Sequence, residues 1–116
     1  MVEFKERRKY FRIKLITKVT LVQENSFHYF YSRDLSVGGV FLETDHPYPV
    51  GSNLELEIPL PEITDKVRLK GKVVRVVPVE ERQKGNVPGM GVQFVEIDTW
   101  AKAMLADFIA REMAHN

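Results

Sequence analysis

Apolar and polar residues alternate in short segments along this chain, and this period of two constrains the fold more than any other feature. From Ile13 to Leu21, every second position holds Ile, Leu, Thr or Val, a pattern typical of a half-buried β-strand. Similar alternation, or a high content of aromatic and β-branched residues, predicts five more strands with turn-forming residues between them. The six predicted strands cover residues 13–22, 27–33, 40–43, 53–60, 66–77 and 90–94.

Two of these predicted strands contain irregularities. Pro59 lies near the end of the fourth segment, and because proline cannot donate a ladder hydrogen bond, the strand should end there or lie at a sheet edge. In the fifth segment the alternation slips at Val73 and Val74, which predicts a β-bulge or a bend within a long strand.

The C-terminal segment has the pattern of a helix. Asp98 or Thr99 can cap a helix that begins near Trp100. One helical stripe, interpreted as core, holds Trp100, Ala101, Met104, Leu105, Phe108 and Ile109. Six short strands followed by one helix predict a mainly β protein, a six-stranded antiparallel barrel whose opening or side is covered by the C-terminal α-helix.

Length and composition exclude several classes of protein. The 116 residues correspond to one domain, and 44% hydrophobic content is enough for a packed core. The chain has no cysteine, which excludes disulfides, thiolate chemistry and a zinc ribbon. It has neither an apolar run of roughly 20 residues, as a membrane helix needs, nor the apolar stretch of a signal peptide. We therefore expect a soluble cytoplasmic protein without membrane contact.

Positive charge is concentrated at the N-terminus, although the net charge is only +1. Residues 1–12 have no clean hydrophobic period and are interpreted as a mobile basic arm, followed by the barrel and helix in residues 13–116. The basic residues of the first twenty positions are Lys5, Arg7, Arg8, Lys9, Arg12, Lys14 and Lys18. A local basic cluster on a nearly neutral protein indicates a small anionic partner rather than a long nucleic acid.

Two short motifs carry the chemistry. Arg8 and Arg12 are four residues apart, and guanidinium groups suit phosphates and the acceptor edge of guanine. Asp34, Ser36 and Gly39 form an Asp-x-Ser-x-x-Gly turn, whose carboxylate suits the donor edge of guanine. Taken singly, the arginines also fit a solvated tail, and the second motif also fits an ordinary turn with glycine at positive φ.

The order of the two motifs along the chain favours a shared site. If the first two strands form a hairpin, the end of the second strand lies beside the start of the first. Asp34 and Ser36 are then close to Arg12, and the two motifs together fit a ligand that carries both guanine and phosphate.

With these two motifs in this order, the chain resembles the PilZ domain family, whose members are receptors for the bacterial second messenger cyclic di-GMP. The resemblance rests on Arg8-x-x-x-Arg12, on Asp34-x-Ser36-x-x-Gly39, and on a closing Gly91-x-x-Phe94 in the last strand. It covers nearly the whole chain, and all of the signature positions match.

The resemblance implies a ligand site without a catalytic role, a metal or a further cofactor. Arg8 and Arg12 would clasp phosphate and guanine acceptor atoms, and Asp34 would accept from a guanine donor edge. Ser36 would add a hydroxyl contact to base or phosphate, and Gly39 would let the backbone turn tightly beside the ligand.

The resemblance also implies a choice between one bound ligand and two stacked ones, linked to the position of Arg7. An arginine there can lie flat on a guanine face, which favours two stacked cyclic di-GMP molecules. The alternative is that Arg7 is only a solvated charge. Ligand binding would order the arm. Because no effector domain is recognised in the chain, the signal is expected to pass to an unknown partner protein.

Two other functions remain open at this stage. One is a PilZ-fold adaptor that binds no nucleotide, and the other is a small barrel that binds single-stranded nucleic acid, for which the net charge is unfavourable. We expect Arg33 to point outward from its strand, and Tyr10 and Phe11 to pack over the barrel rather than to stack on a base. No catalytic motif or pattern of metal ligands is recognised, so an enzyme is not expected.

Overall fold

The computed structural model describes residues 11–23, 26–61 and 66–114. Within these residues the chain forms seven strands, a 3-10 helix over Val79–Lys84 and a C-terminal helix, α1, over Thr99–Ala114. The strands are β1 (Ile13–Lys14), β2 (Lys18–Gln23), β3 (Ser26–Leu35), β4 (Gly39–Glu43), β5 (Asn53–Ile58), β6 (Val67–Val77) and β7 (Gly89–Glu96).

The strands close into an antiparallel barrel. β1 and β2 both pair with one edge of β3, and β4 pairs with its other edge. From β4 the sheet continues through β7, β6 and β5 and returns to β2. The predicted six-stranded antiparallel barrel with a C-terminal helix is therefore confirmed, with one extra short strand.

The extra strand arises because the first predicted strand is broken. Lys14 pairs with Asp34 and Lys18 pairs with Tyr31, so the three residues 15–17 lie opposite two residues of β3. One surplus residue cannot join the ladder, and the backbone bulges. The prediction of one continuous strand over residues 13–22 is wrong for this reason.

The side chain of Ser32 fills the gap left by the bulge. Its hydroxyl accepts a hydrogen bond from the backbone N–H of Thr17 at 3.1 Å and donates to the carbonyl of Leu15. Ser32 is completely buried, and its own N–H donates to the carbonyl of Thr17 at 3.0 Å. The buried hydroxyl of Ser32 and the backbone groups of Leu15 and Thr17 that face it are thus paired.

The irregularities predicted for β5 and β6 are present. β5 ends at Ile58, directly before Pro59, and the pairing of β6 with β7 shifts register between Val73 and Arg75. Between β6 and β7, where the sequence predicts only turn-forming residues, Val79–Lys84 form the 3-10 helix.

Helix α1 packs against β6 and β1. Asp98 caps it, because its Oδ1 accepts the backbone N–H of Ala101 at 2.7 Å. The buried side chains are those of Ala101, Leu105, Phe108 and Ile109. Trp100 is 54% exposed, so its predicted place in the core is wrong: it lies about 100° around the helix axis from the buried Ala101, outside the stripe of buried side chains. No described helix is long and apolar enough to cross a membrane.

Candidate functional site

The pairing of β1 with β3 brings Arg12 to the turn after β3. Ile13 is opposite Leu35, and Lys14 is opposite Asp34. Continued by one residue, the same antiparallel register places Arg12 opposite Ser36. The short strand β1 therefore fixes where the start of the barrel meets the Asp-x-Ser-x-x-Gly turn.

The guanidinium group of Arg12 binds both motif side chains of that turn. Its Nε and Nη2 donate to Oδ1 of Asp34 at 2.9 and 2.5 Å, and its Nη1 donates to Oγ of Ser36 at 3.2 Å. Because the Arg12 and Asp34 side chains are 46% and 38% exposed, their ion pair contributes only about 0–1 kcal/mol to stability. Its main effect is to hold the guanidinium group in place.

This arrangement leaves hydrogen-bonding capacity for a ligand. The guanidinium of Arg12 has five N–H donors, and one on each of Nη1 and Nη2 is not used in the three bonds above. Oδ2 of Asp34 accepts no hydrogen bond from the described residues. Two N–H donors of Arg12 and one carboxylate oxygen of Asp34 thus remain available at these partly exposed side chains.

The hydroxyl of Ser36 organises the turn. It accepts the backbone N–H groups of Gly38 and Gly39, both at 3.1 Å, in addition to Arg12, and it donates to the carbonyl of Gly39 at 3.3 Å. A hydroxyl has one donor and two lone pairs, so these bonds, in which three N–H groups share two lone pairs, leave no capacity for a further partner. They favour a positioning role for Ser36, while its direct contact with a ligand stays a prediction.

Gly39 is needed for close packing rather than for positive φ. The described glycines with positive φ are Gly51 and Gly85, so the alternative interpretation of Gly39 as a turn glycine at positive φ is wrong. A Cβ at Gly39 would lie only 2.4 Å from the backbone oxygen of Val92. Gly39 therefore allows β4 to approach β7 directly beside the turn.

The predicted proximity of Arg12 to Asp34 and Ser36 is confirmed. Arg7 and Arg8 lie outside the described residues, as does Tyr10, together with most of the predicted arm. The ligand-binding roles of all these residues stay predictions.

Of the two residues that flank the motifs, Arg33 has the expected orientation and Phe11 does not. Arg33 points outward, as expected, and pairs with Glu43 at 3.3 Å. Phe11 is 68% exposed, so the expectation that it packs over the barrel is wrong.

A groove of about 550 Å³ opens beside Asp34, and sequence reasoning did not anticipate it. It is lined by Phe41 of β4, Arg75 of β6, and Glu81 and Asn86 in and after the 3-10 helix. The one signal in the sequence was the large aromatic Phe41 at a position that alternation assigns to the outside of β4. Within the part of the chain that is described, no cluster of three or more His, Asp or Glu side chains is arranged to hold a metal ion.

The 3-10 helix that borders this groove is fixed to the loop before β5. Nη2 of Arg82 donates to Oδ1 of Asp45 at 2.6 Å. This hydrogen bond lowers the pKa of the Asp45 carboxyl and raises the pKa of Arg82.

Solved structures with the same fold cover nearly the whole chain. The inhibitor of motility MotI/DgrA from Bacillus subtilis is 22% identical, with a TM-score of 0.79, over 95% of this chain and 53% of its own. YcgR from Escherichia coli in complex with c-di-GMP is 19% identical, with a TM-score of 0.69, over 94% of this chain and 50% of its own. The chain thus spans about half the length of these two proteins.

The PilZ domain of YcgR with c-di-GMP is 20% identical, with a TM-score of 0.61, and the match covers 95% of this chain and 98% of that domain. No curated protein matches the sequence significantly. The family model described as PilZ domain matches residues 6–111. Since this match includes both motifs and the whole barrel, the chain belongs to the PilZ domain family.

Proposed function

We propose that this protein is a receptor for cyclic di-GMP and that the ligand binds at Arg12, Asp34 and the turn around Ser36. The observation that carries the proposal is the hydrogen-bonded group of Arg12, Asp34 and Ser36, in which the partly exposed Arg12 and Asp34 have donors and an acceptor to spare. The two YcgR structures, which have the same fold and were solved with c-di-GMP, support the choice of ligand.

The chemistry of the site suits a guanine nucleotide. The remaining N–H groups of Arg12 suit a phosphate or the O6 and N7 acceptors of guanine. The free oxygen of Asp34 suits the N1 and N2 donors of guanine. We propose that Arg8 completes the clasp and that Gly39 keeps the turn close to the barrel.

Binding is proposed to order the arm before Arg12. Fixing the backbone of each residue costs about 1–2 kcal/mol, whereas a hydrogen bond to a charged group contributes about 1.5–3 kcal/mol. Because Arg12 is already anchored to Asp34 without ligand, the ligand has to order only the residues ahead of it. A few contacts from Arg8 and its neighbours are then sufficient.

We further propose that Arg7 allows a second, stacked ligand to bind, and that the ordered arm presents a new surface to a partner protein. The function is thus that of a receptor and adaptor without catalysis.

Isothermal titration calorimetry with cyclic di-GMP tests the proposal. The wild-type protein should bind, and Arg12→Ala and Asp34→Ala should each lose most of the affinity while remaining folded. Arg33→Ala is the matched control. It also removes one arginine charge next to Asp34, but Arg33 pairs with Glu43 and not with Asp34. A folded wild-type protein that does not bind would identify a nucleotide-independent adaptor, and an Arg12→Ala variant with full affinity would refute the site.

A further inference from the structure

Four residues form an in-register row across the outside of the barrel. Asp34 in β3 pairs with Phe41 in β4, Phe41 pairs with Gly91 in β7, and Gly91 pairs with Arg75 in β6. The residues that flank Phe41 and Gly91 along their strands belong to the hydrophobic core, so the row itself faces outward. With strands about 4.8 Å apart, its backbone spans roughly 14 Å.

Arg75 lies across this row toward Asp34. The carbon of its guanidinium group is 5.3 Å from the centre of the Phe41 ring, a cation–π distance. Gly91 lies between them without a side chain, and a Cβ there would be 3.5 Å from Cβ and 3.6 Å from Nε of Arg75. Phe41 is only 6% exposed, although it faces outward. Arg75 is an exposed residue, and its guanidinium group lies over this buried ring, a contact that contributes about 0.5–1 kcal/mol at such a site.

The polar groups that line the adjoining groove suit a purine base. Asp34 and Arg75 both line it, as does Glu81, whose carboxylate accepts hydrogen bonds from Asn86 at 2.9 Å and Lys84 at 3.3 Å. Because Asp34 is paired with Arg12 and Glu81 with Lys84, the groove offers carboxylate acceptors beside the donors of Arg75, which matches the donor and acceptor edges of a purine base. The volume of about 550 Å³ lies within the range of roughly 300–1,000 Å³ found for small-molecule sites.

We propose that Arg75 is a specificity-determining residue that donates hydrogen bonds to O6 and N7 of a guanine base bound in this groove beside Asp34. Arginine pairs with this edge in a bidentate manner, whereas adenine presents an amino donor in place of O6 and disfavours the same contact. The proposal rests on the proposed function and extends its site by a residue outside both sequence motifs.

The test compares cyclic di-GMP with its 7-deazaguanine analogue, which lacks the N7 acceptor, in calorimetric titrations of wild-type and Arg75→Ala proteins. Arg75→Ala should lower the affinity for cyclic di-GMP by about tenfold or more. The wild-type protein should bind the analogue several-fold more weakly than cyclic di-GMP, whereas Arg75→Ala should bind both ligands within about twofold of each other. Lys72→Ala, which removes a positive charge from the same strand outside the groove, should retain affinity within about twofold.

A second variant displaces Arg75 without removing it. In Gly91→Val the additional methyl groups extend beyond a Cβ position that already contacts Arg75, so the guanidinium group must leave Phe41, while valine suits the strand. This variant should lose affinity as Arg75→Ala does, with its fold verified by circular dichroism.

The outcomes separate this inference from the receptor function. Two results would remove Arg75 from this role and leave the receptor function standing. In one, Arg75→Ala binds cyclic di-GMP with full affinity while Arg12→Ala does not. In the other, wild type and Arg75→Ala discriminate equally against the analogue. If the wild-type protein binds no cyclic di-GMP, both are overturned.

Discussion

Replacing Ser36 with alanine tests whether the turn after β3 holds Arg12 in place. The hydroxyl accepts backbone N–H groups from Gly38 and Gly39 and one N–H from Arg12. Gly39 is buried, and Ser36 is only 1% exposed, so water cannot readily replace the lost acceptor. A buried donor left unpaired costs about 1–3 kcal/mol. At about 4 °C per kcal/mol for a domain of this size, the melting temperature should fall by roughly 4–12 °C.

Ser36→Ala should also weaken the binding of cyclic di-GMP, because Arg12 loses one of its two anchors. Ser32→Ala is the matched control: Ser32 is equally buried and its hydroxyl joins two backbone groups, but it does not contact Arg12. Both variants should lose stability in thermal and chemical denaturation, and Ser36→Ala alone should lose affinity in calorimetry. An unchanged stability of Ser36→Ala, or an equal loss of affinity in both variants, would refute the reasoning.

Three further predictions concern the fold around the site. Gly39→Ala places a Cβ against the backbone oxygen of Val92 and should lower the free energy of unfolding, measured by urea titration, by about 1–3 kcal/mol or more. Gly91→Ala, whose Cβ would lie at ordinary contact distances, should lower it by less. Equal losses in the two variants would contradict the packing argument. Leu105→Ala removes a fully buried side chain of α1 and should cost about 2–5 kcal/mol, whereas Trp100→Ala at an exposed position should cost clearly less; the reverse order would mean that Trp100 does pack in the core. In an NMR titration, the pKa of Asp45 should rise toward its ordinary value in Arg82→Ala, because Arg82 stabilises the ionised form. In the wild-type protein, the stabilisation by this pair should be lost as the pH falls through the lowered pKa of Asp45. The same pKa of Asp45 in both proteins would exclude the ion pair in solution.

The sequence predicts the features that depend on neighbouring residues along the chain. Alternation locates the strands, Pro59 ends β5, and Asp98 caps α1. Because a hairpin places the end of one strand beside the start of the other, the approach of Arg12 to Asp34 also follows from the order of the segments.

Features that depend on register between distant strands were not predictable in this way. The break at residues 15–17 preserves the alternation of side chains, so it becomes visible only in the pairing with β3. Arg75 and Phe41 are brought together through Gly91 of a third strand. Likewise, the close approach of β4 to β7 at Gly39 depends on the packing of two backbones.

The central claim is that cyclic di-GMP binds where Arg12 meets the turn after β3. An NMR titration of the ¹⁵N-labelled protein with cyclic di-GMP measures this directly, because the Arg12 Nε–H and the amides of Gly38 and Gly39 report on the site. We expect these resonances to shift with saturation, together with the Arg75 Nε–H. Shifts confined to the outer face of β5, or an unchanged spectrum at a large excess of ligand, would contradict the account.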